Sequence, residues 1–475
     1  MKIGFLAMSG IRSHDPELLA RGLTLPGFVE RSKQVAALPS LGLLNLAAAT
    51  PPGHDLVYTE AAEDRSEADF LYDCDLVAIS TFSAQIFEAY AIADRLRAAG
   101  VMVAMGGLHV SVLPDEALAH ADFVAVGEGE HVWRDIVSAA ERGERRQVFH
   151  ATERGPFDLT QLETPRYDLL MQRPYNRFTV QTSRGCPHRC DFCASTVMLQ
   201  QRYRKRPVED VVSDILAIRR LRPNAFIEFA DDNTFVDKQW GKELCRAIAP
   251  LGIKWFTETD VTVADDPELL ELIADSGCRQ LLIGLESPEA SALEGMELRS
   301  NFKAKSARRY AEAIQRIQSH GVTVNGCFIL GLDSQDTSVF ERVLQFAEDT
   351  ALFEVQVTML TAFPGTPLYE RLIAEKRILQ PGRWDLCTLF DVNHRPLQMT
   401  PDELRKGLYG LSEKLYSAER MERRRARFFD DMRARHQHRF VSLAEVDAPR
   451  APLSANAPRN TARTTSFSRR TRSVD

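Results

Sequence analysis

The chain has 475 residues, 44% hydrophobic and 26% charged, enough to bury at least one sizeable core and, at this length, two. Its 8% aromatic content and the lack of any apolar run of about 18 residues exclude a disordered or membrane-spanning chain. The net charge of -7 divides unevenly: from Arg420 to the end the balance is +8, so residues 1–419 carry -15, and an acidic body disfavours a nucleic-acid partner.

The amino terminus, MKIGFLAMSGIRSHDP, holds one Lys and a short apolar stretch without a cleavage site. It reads as the buried first strand of a cytoplasmic protein. Apolar runs follow at 75–80, 101–107 and 122–130, separated by helical patterns near 41–49 and 84–99. Such spacing implies crossover connections and a parallel sheet. Residues 1–145 are therefore expected to form a doubly wound, Rossmann-like α/β domain, with 146–176 as a Pro-containing linker.

A strand-then-helix beat then repeats six times. Strands are expected at 178–183, 225–230, 254–260, 279–286, 323–331 and 354–363. The helices between them fall near 207–221, 238–250, 266–276, 301–320, 335–350 and 366–376. Six units are fewer than a closed eight-fold barrel needs, so residues 177–380 should form a partial (β/α)6 TIM-type barrel with its functional groups at the strand ends. Residues 381–445 read as a mostly helical extension, and 446–475, rich in Ser, Thr, Pro and Arg, as a disordered basic tail. Phe428, Phe429, Met432 and Phe440 lie among many Arg, a mix suited either to weak contact with an anionic membrane surface or to packing on the barrel.

Eight Cys are too dilute for a disulfide scaffold, yet Cys186, Cys190 and Cys193 crowd into TSRGCPHRCDFCAS directly after the first barrel strand. Thiolates so spaced can turn toward one soft centre, iron–sulfur or zinc. A structural zinc site wants four ligands, and His188 lies inside the loop. A cubane held by three Cys keeps one iron open. The other five Cys, at 74, 245, 278, 327 and 387, read as small buried hydrophobes.

The loop resembles the C-x3-C-x-aromatic-C signature of the radical S-adenosylmethionine (SAM) enzymes, matched by Cys186, Cys190, Phe192 and Cys193. The resemblance covers residues 177–376 and implies a [4Fe-4S] cluster whose open iron chelates SAM, and reductive cleavage to a 5′-deoxyadenosyl radical. An electron donor such as flavodoxin or ferredoxin is implied with it. The resemblance places SAM contacts at Phe192, at Asp231 and Asp232 of FADDN, and at Glu258 and Glu286 where the third and fourth strands end. Carboxylates facing an ammonium are sound charge pairs. The alternatives are a helix cap for Asp232 or Asn233 and ion pairing with an Arg for the two Glu. Pro364, Gly365 and Pro367 form a turn where the family's backbone meets adenine.

Residues 1–140 are similar to the cobalamin-binding domain that precedes the barrel in one branch of that family. Gly106, Gly107, His109, Gly127, Glu128 and Gly129 are the implied cobalamin contacts, the glycines because they let backbone approach a large flat ligand. None of the 11 His has Asp two positions before it, so His109 lacks the D-x-H-x-x-G context of an axial ligand. Segments such as IGLES, FILGLDSQD and LTAFPGTPLYERL are similar to the branch that includes hopanoid and bacteriochlorophyll methylases. The resemblance implies cobalamin-dependent methylation of an unactivated carbon in a largely apolar small molecule. The alternatives are radical cyclisation, rearrangement or oxidation without methyl transfer, and a non-catalytic cobalamin or iron–sulfur sensor.

Overall fold

Strand β1, Lys2–Met8, is buried on both faces, and that explains its continuous apolar run: Ile3, Phe5 and Ala7 enter one core while Leu6 and Met8 enter another. The computed structural model describes residues 1–10, 13–22, 38–61, 69–171, 175, 177–195 and 203–446, the last twelve as backbone only. Met1–Met432 is one compact unit and Arg433–Asp475 another. The basic tail expected at 446–475 lies, past Val446, outside the described residues, as does the side chain of Phe440.

The first sheet contains β1, β2 (Asp55–Ala61), β3 (Leu76–Ser80), β4 (Met102–Gly106), β5 (Phe123–Val126) and β6 (Gln147–His150), ordered β2-β1-β3-β4-β5-β6. All pairings are parallel. The sequence reading missed β2 and β6, which are the two edges. With a single ladder partner and incomplete burial, they keep polar residues such as Asp55, Glu60 and Gln147 in the run, which weakens the apolar signal. Because β6 pairs with β5, 147–150 belongs to the sheet and not to the linker expected at 146–176.

The second sheet is six parallel strands ordered β14-β13-β12-β11-β10-β7. These are β7 (Arg177–Val180), β10 (Phe226–Phe229), β11 (Lys254–Thr259), β12 (Cys278–Glu286), β13 (Thr323–Leu330) and β14 (Glu354–Met359). A helix lies between successive strands, for example Val208–Leu221 after β7 and Lys238–Ile248 after β10. This is the expected six-unit partial barrel, with two local differences. The helix expected over 301–320 is broken into Phe302–Ala307 and Tyr310–Gln318. The first strand stops at Val180, and Ser183–Arg184 (β8) pairs antiparallel with Arg204–Lys205 (β9). The break has a cause: the amides of Thr182 and Ser183 donate to Asp231 at 2.8 and 2.9 Å instead of continuing the ladder.

One contiguous core joins the two sheets, running from Phe5 and Trp133 through Tyr167 and Phe178 to Trp255 and Phe328. Helices Pro401–Leu415 and Ala418–Val446 form the expected helical extension. On the second, Phe428 packs edge-on against Phe353 with centroids 5.1 Å apart, and Met432 covers Gly321. Two of the residues considered for membrane contact are thus spent on packing, while Phe429 is half exposed. Among the described residues no helix is long and apolar enough to cross a membrane.

Candidate active site

The Cys loop sits at the mouth where the barrel strands end, and each neighbouring connection ties it down. The Gly185 amide donates to Asp232 after β10 at 3.0 Å. The connection after β12 accepts two bonds, from Asp191 N to Met296 O (2.9 Å) and from Arg189 N to Glu297 Oε1 (3.1 Å), and donates one from Leu298 N to Arg189 O (2.9 Å). After β14, the Leu368 amide donates to Asp191 O at 3.0 Å and Arg371 approaches the Asp191 carboxylate at 3.4 Å. Burial opposes ionisation of Glu297, but the amides of Arg189, Ser300 and Arg299 outweigh it and hold the carboxyl at about 2.

Cys190 is buried, and Cys186 and Cys193 are half buried. Burial pushes the Cys186 thiol up to about 11 and Cys190 higher still, although Lys303 opposes the second shift. Cys193 raises both Cys186 and Cys190, and Cys186 also raises Cys190, so thiolates here would repel until a cationic centre took them up. His188, the fourth ligand a zinc site would want, is otherwise engaged: its Nε2 lies 3.2 Å from Asp260 Oδ2, and its ring stacks on Phe302 at 3.9 Å. Among the described residues no three His, Cys, Asp or Glu groups are placed to hold a single ion. Three thiols on one loop, with His188 held by Asp260 and Phe302, suit a cluster with an open corner.

The residues expected to meet SAM divide. Phe192 is half buried against the main core beside the loop. Asp232 faces both the Gly185 amide and the interdomain cleft described below. Asp231 does not suit the expectation. It is buried and accepts from the amides of Thr182 and Ser183 and the hydroxyls of Thr182 and Thr234, which leaves no acceptor for a ligand. Asp237, not Asp232 or Asn233, caps the following helix, accepting from Trp240 N. Glu286, at φ 62°, is likewise committed: Lys303 Nζ donates to its Oε1 at 2.8 Å and to Gly284 O at 2.7 Å. Its partner is this buried Lys and not an Arg.

Glu258 differs from both. Its neighbours Trp255, Thr257 and Thr259 are buried toward the helices, so by strand alternation Glu258 points into the lumen, ringed by protein yet reached by solvent through the open mouth. Burial, with Glu228, Asp232 and Asp231 nearby, raises its carboxyl to about 7. Cys327 also departs from expectation, being only half buried and close to Glu258, Glu286 and Lys303, whereas Cys74, Cys245, Cys278 and Cys387 are buried.

Between the two sheets lies a cleft with about 1320 Å³ of space, its open mouth included. Gly106, Gly107, Gly127, Glu128 and Gly129 line one side and Gln181, Arg184, Ala230 and Asp232 the other. Ala78, Ala104 and Ala125 make a floor of small side chains between larger apolar walls, a shape open to a broad flat ligand. Gly107 is required where it stands: at φ 109° a Cβ would meet the Thr81 carbonyl at 2.7 Å. His109 is not in the lining. It is fully buried behind it, with Nδ1 3.1 Å from Ser83 Oγ and Nε2 3.4 Å from Glu116. Its assignment as a cobalamin contact is therefore corrected. Glu128 lines the cleft, but its carboxylate turns to Arg184 at 2.5 Å and Arg204 at 2.9 Å. Arg184 and Arg204 were not singled out from sequence, although Arg184 belongs to the RG that precedes Cys186.

Comparison with known proteins agrees with this anatomy. The Radical SAM superfamily model matches residues 180–347, and the B12 binding domain model matches 34–137. The chain carries a radical SAM domain and a B12-binding domain. Its cofactors are accordingly a [4Fe-4S] cluster, SAM and cobalamin. A third model, a domain of unknown function, matches 366–455, from the last barrel helix through the helical extension. The enzyme is similar to bacteriochlorophyllide d C-12(1)-methyltransferase of Chlorobaculum tepidum, at 27% identity over 72% of this chain and 75% of that one. An uncharacterised methyltransferase of Synechocystis is 29% identical over 77% of this chain and 69% of its own. The radical SAM methyltransferase TsrM of Kitasatospora setae, solved with cobalamin and a [4Fe-4S] cluster, shares the fold at TM-score 0.60 and 15% identity, covering 86% of this chain and 85% of that one.

Proposed function

We propose that the enzyme transfers a methyl group to a carbon of a small, largely apolar substrate in the cleft between its two sheets. One observation carries the reading: the glycine-lined ends of β4 and β5 and the mouth that holds the Cys loop border the same cavity. Cys186, Cys190 and Cys193 are the three residues that would hold the cluster. With SAM bound, a reduced cluster there would supply the electron that splits SAM into methionine and a hydrogen-abstracting 5′-deoxyadenosyl radical, and cobalamin would supply the methyl group.

The chain's own residues serve the rest. Asp232 presents a carboxylate where the SAM ammonium would lie, and Glu258 offers a second negative charge in the lumen when deprotonated. The bare backbone at Gly106, Gly107, Gly127 and Gly129 lets a corrin approach the sheet, and the apolar walls at Leu43, Leu46 and Trp133 keep water from a radical. The cleft lining contains no His among its described residues, so cobalamin would sit there without an imidazole ligand. The apolar substrate class is supported by the relative that acts on bacteriochlorophyllide d. A flavodoxin or ferredoxin is the class of donor that would supply electrons.

The test is anaerobic reconstitution with iron, sulfide and hydroxocobalamin, then assay of SAM-derived products under a strong reductant. Methyl transfer yields S-adenosylhomocysteine, 5′-deoxyadenosine and methionine together. 5′-Deoxyadenosine with no S-adenosylhomocysteine would leave radical chemistry but remove methyl transfer, and no 5′-deoxyadenosine from a cluster-loaded enzyme would overturn the reading.

A further inference from the structure

We infer that Glu128 is a positioning residue that couples the cleft to the Cys loop, so that filling either site tightens the other. The inference rests on the proposed assignment of the cleft to cobalamin and of the Cys loop to the cluster.

Arg184 and Arg204 face each other in register across the two-stranded ribbon that closes the base of the Cys loop. Like charges opposite one another on a ribbon destabilise it unless a counter-charge lies between them. Glu128 supplies that charge from the other sheet: its Oε1 accepts from Arg184 Nη1 at 2.5 Å and from Arg204 Nη2 at 2.9 Å, and its Oε2 accepts from the Phe157 amide at 2.8 Å. Glu130 and Gln181 each accept from Arg184 Nη2 at 2.7 Å. Glu128 is 7% exposed and Arg184 8%, so drawing the ribbon away would strip a buried carboxylate of both its guanidinium partners. These are charge-assisted bonds, partly forked, and they resist small displacements as well as large ones.

The connection on each side of this ion cluster is short. Glu128 is flanked by Gly127 and Gly129, both in the cleft wall, and the Gly127 amide is itself held by Ser111 Oγ at 2.9 Å. Arg184 is two residues from Cys186, and the intervening Gly185 amide is held by Asp232, which lines the same cleft. A ligand that seats the 127–129 backbone therefore fixes Glu128, and Glu128 fixes the ribbon from which Cys186 hangs. Thermodynamic linkage requires the coupling to be equal in both directions.

The experiment measures hydroxocobalamin Kd on the full chain, anaerobically, in the chelator-stripped and the cluster-reconstituted forms. In the wild type the reconstituted form should bind at least about fivefold tighter, and in Glu128→Gln the two Kd values should converge within about twofold. Because the Glu128 variant could fold poorly, Arg204→Lys serves as a second variant that keeps the charge and loses the fork; its coupling should fall between the two. A weakening of cobalamin binding by the same factor in both forms is what a merely structural Glu128 would give, and it overturns the inference. Equal Kd values in the two wild-type forms overturn it as well. A wild type that binds no cobalamin in either form instead defeats the assignment of the cleft, and the coupling with it.

Discussion

His109 lies edge-on to Trp384, with ring centroids 5.5 Å apart, and the indole Nε1 donates to Glu116 at 3.3 Å. The residue that sequence grouped with the cobalamin contacts is thus a fastener between the first domain and the segment that follows the barrel. Trp384 and Cys387 belong to the same core as Val77, Ile79 and Met105, and the Asp391 carboxylate accepts from the His14 amide. The chain ends of the two layers are stitched to one another.

His109→Ala should therefore cost about 3 kcal/mol, from a cavity beside Trp384 and a buried Ser83 hydroxyl left without its partner. Chemical denaturation measures the loss, and hydroxocobalamin affinity should stay within about twofold. A variant of unchanged stability with tenfold weaker cobalamin binding would return His109 to the ligand set.

Ala substitution at each of Cys186, Cys190 and Cys193 should abolish the reconstituted iron–sulfur absorbance. His188→Ala should keep it, because that ring is held by Asp260 and Phe302 and does not join the thiols. Iron and sulfide analysis decides between cluster and zinc. Loss of metal in His188→Ala together with zinc uptake by the wild type would support a four-ligand zinc site.

Asp231 and Asp232 are adjacent but should fail differently. Asp231→Ala removes the acceptor for two amides and two hydroxyls in the bend that launches the Cys loop, at about 3–5 kcal/mol of stability. Asp232→Asn retains an acceptor for Gly185, so it should unfold like the wild type while binding SAM about tenfold more weakly. Equal stability losses in the two variants would show that the division of roles is wrong.

Glu258 predicts a pH effect. Its carboxyl is raised to about 7 in the folded chain from the ordinary glutamate value of 4.5, so between these values the native state holds more protons than the unfolded one. Stability should fall as pH rises through that window and level off above it. Solvent at the barrel mouth screens the repulsion and limits the effect to about 1 kcal/mol. Glu258→Gln should flatten this slope and be the more stable protein at pH 8. In the wild type, SAM binding should tighten as pH rises through about 7, because only the carboxylate attracts the sulfonium. A pH-independent SAM affinity, measured on the reconstituted enzyme, would place SAM away from Glu258.

Sequence by itself determined the order of the elements and the position of the chemistry. Strands buried on both faces, such as KIGFLAM and LVAIS, announce themselves because every residue but a terminal one is apolar or Gly, and the Cys186, Cys190 and Cys193 spacing is a local property of one loop. The edge strands Asp55–Ala61 and Gln147–His150 did not, since a strand with one partner keeps polar residues. Roles that depend on who stands opposite were decided only by the tertiary structure. Asp231 and Asp232 look alike in FADDN, yet one faces four donors inside the fold and the other a cleft. Glu128 and Arg184 are 56 residues apart, and nothing local to either marks them as partners. A carboxylate's function is set by the charges and donors within a few ångströms, and those come from distant parts of the chain.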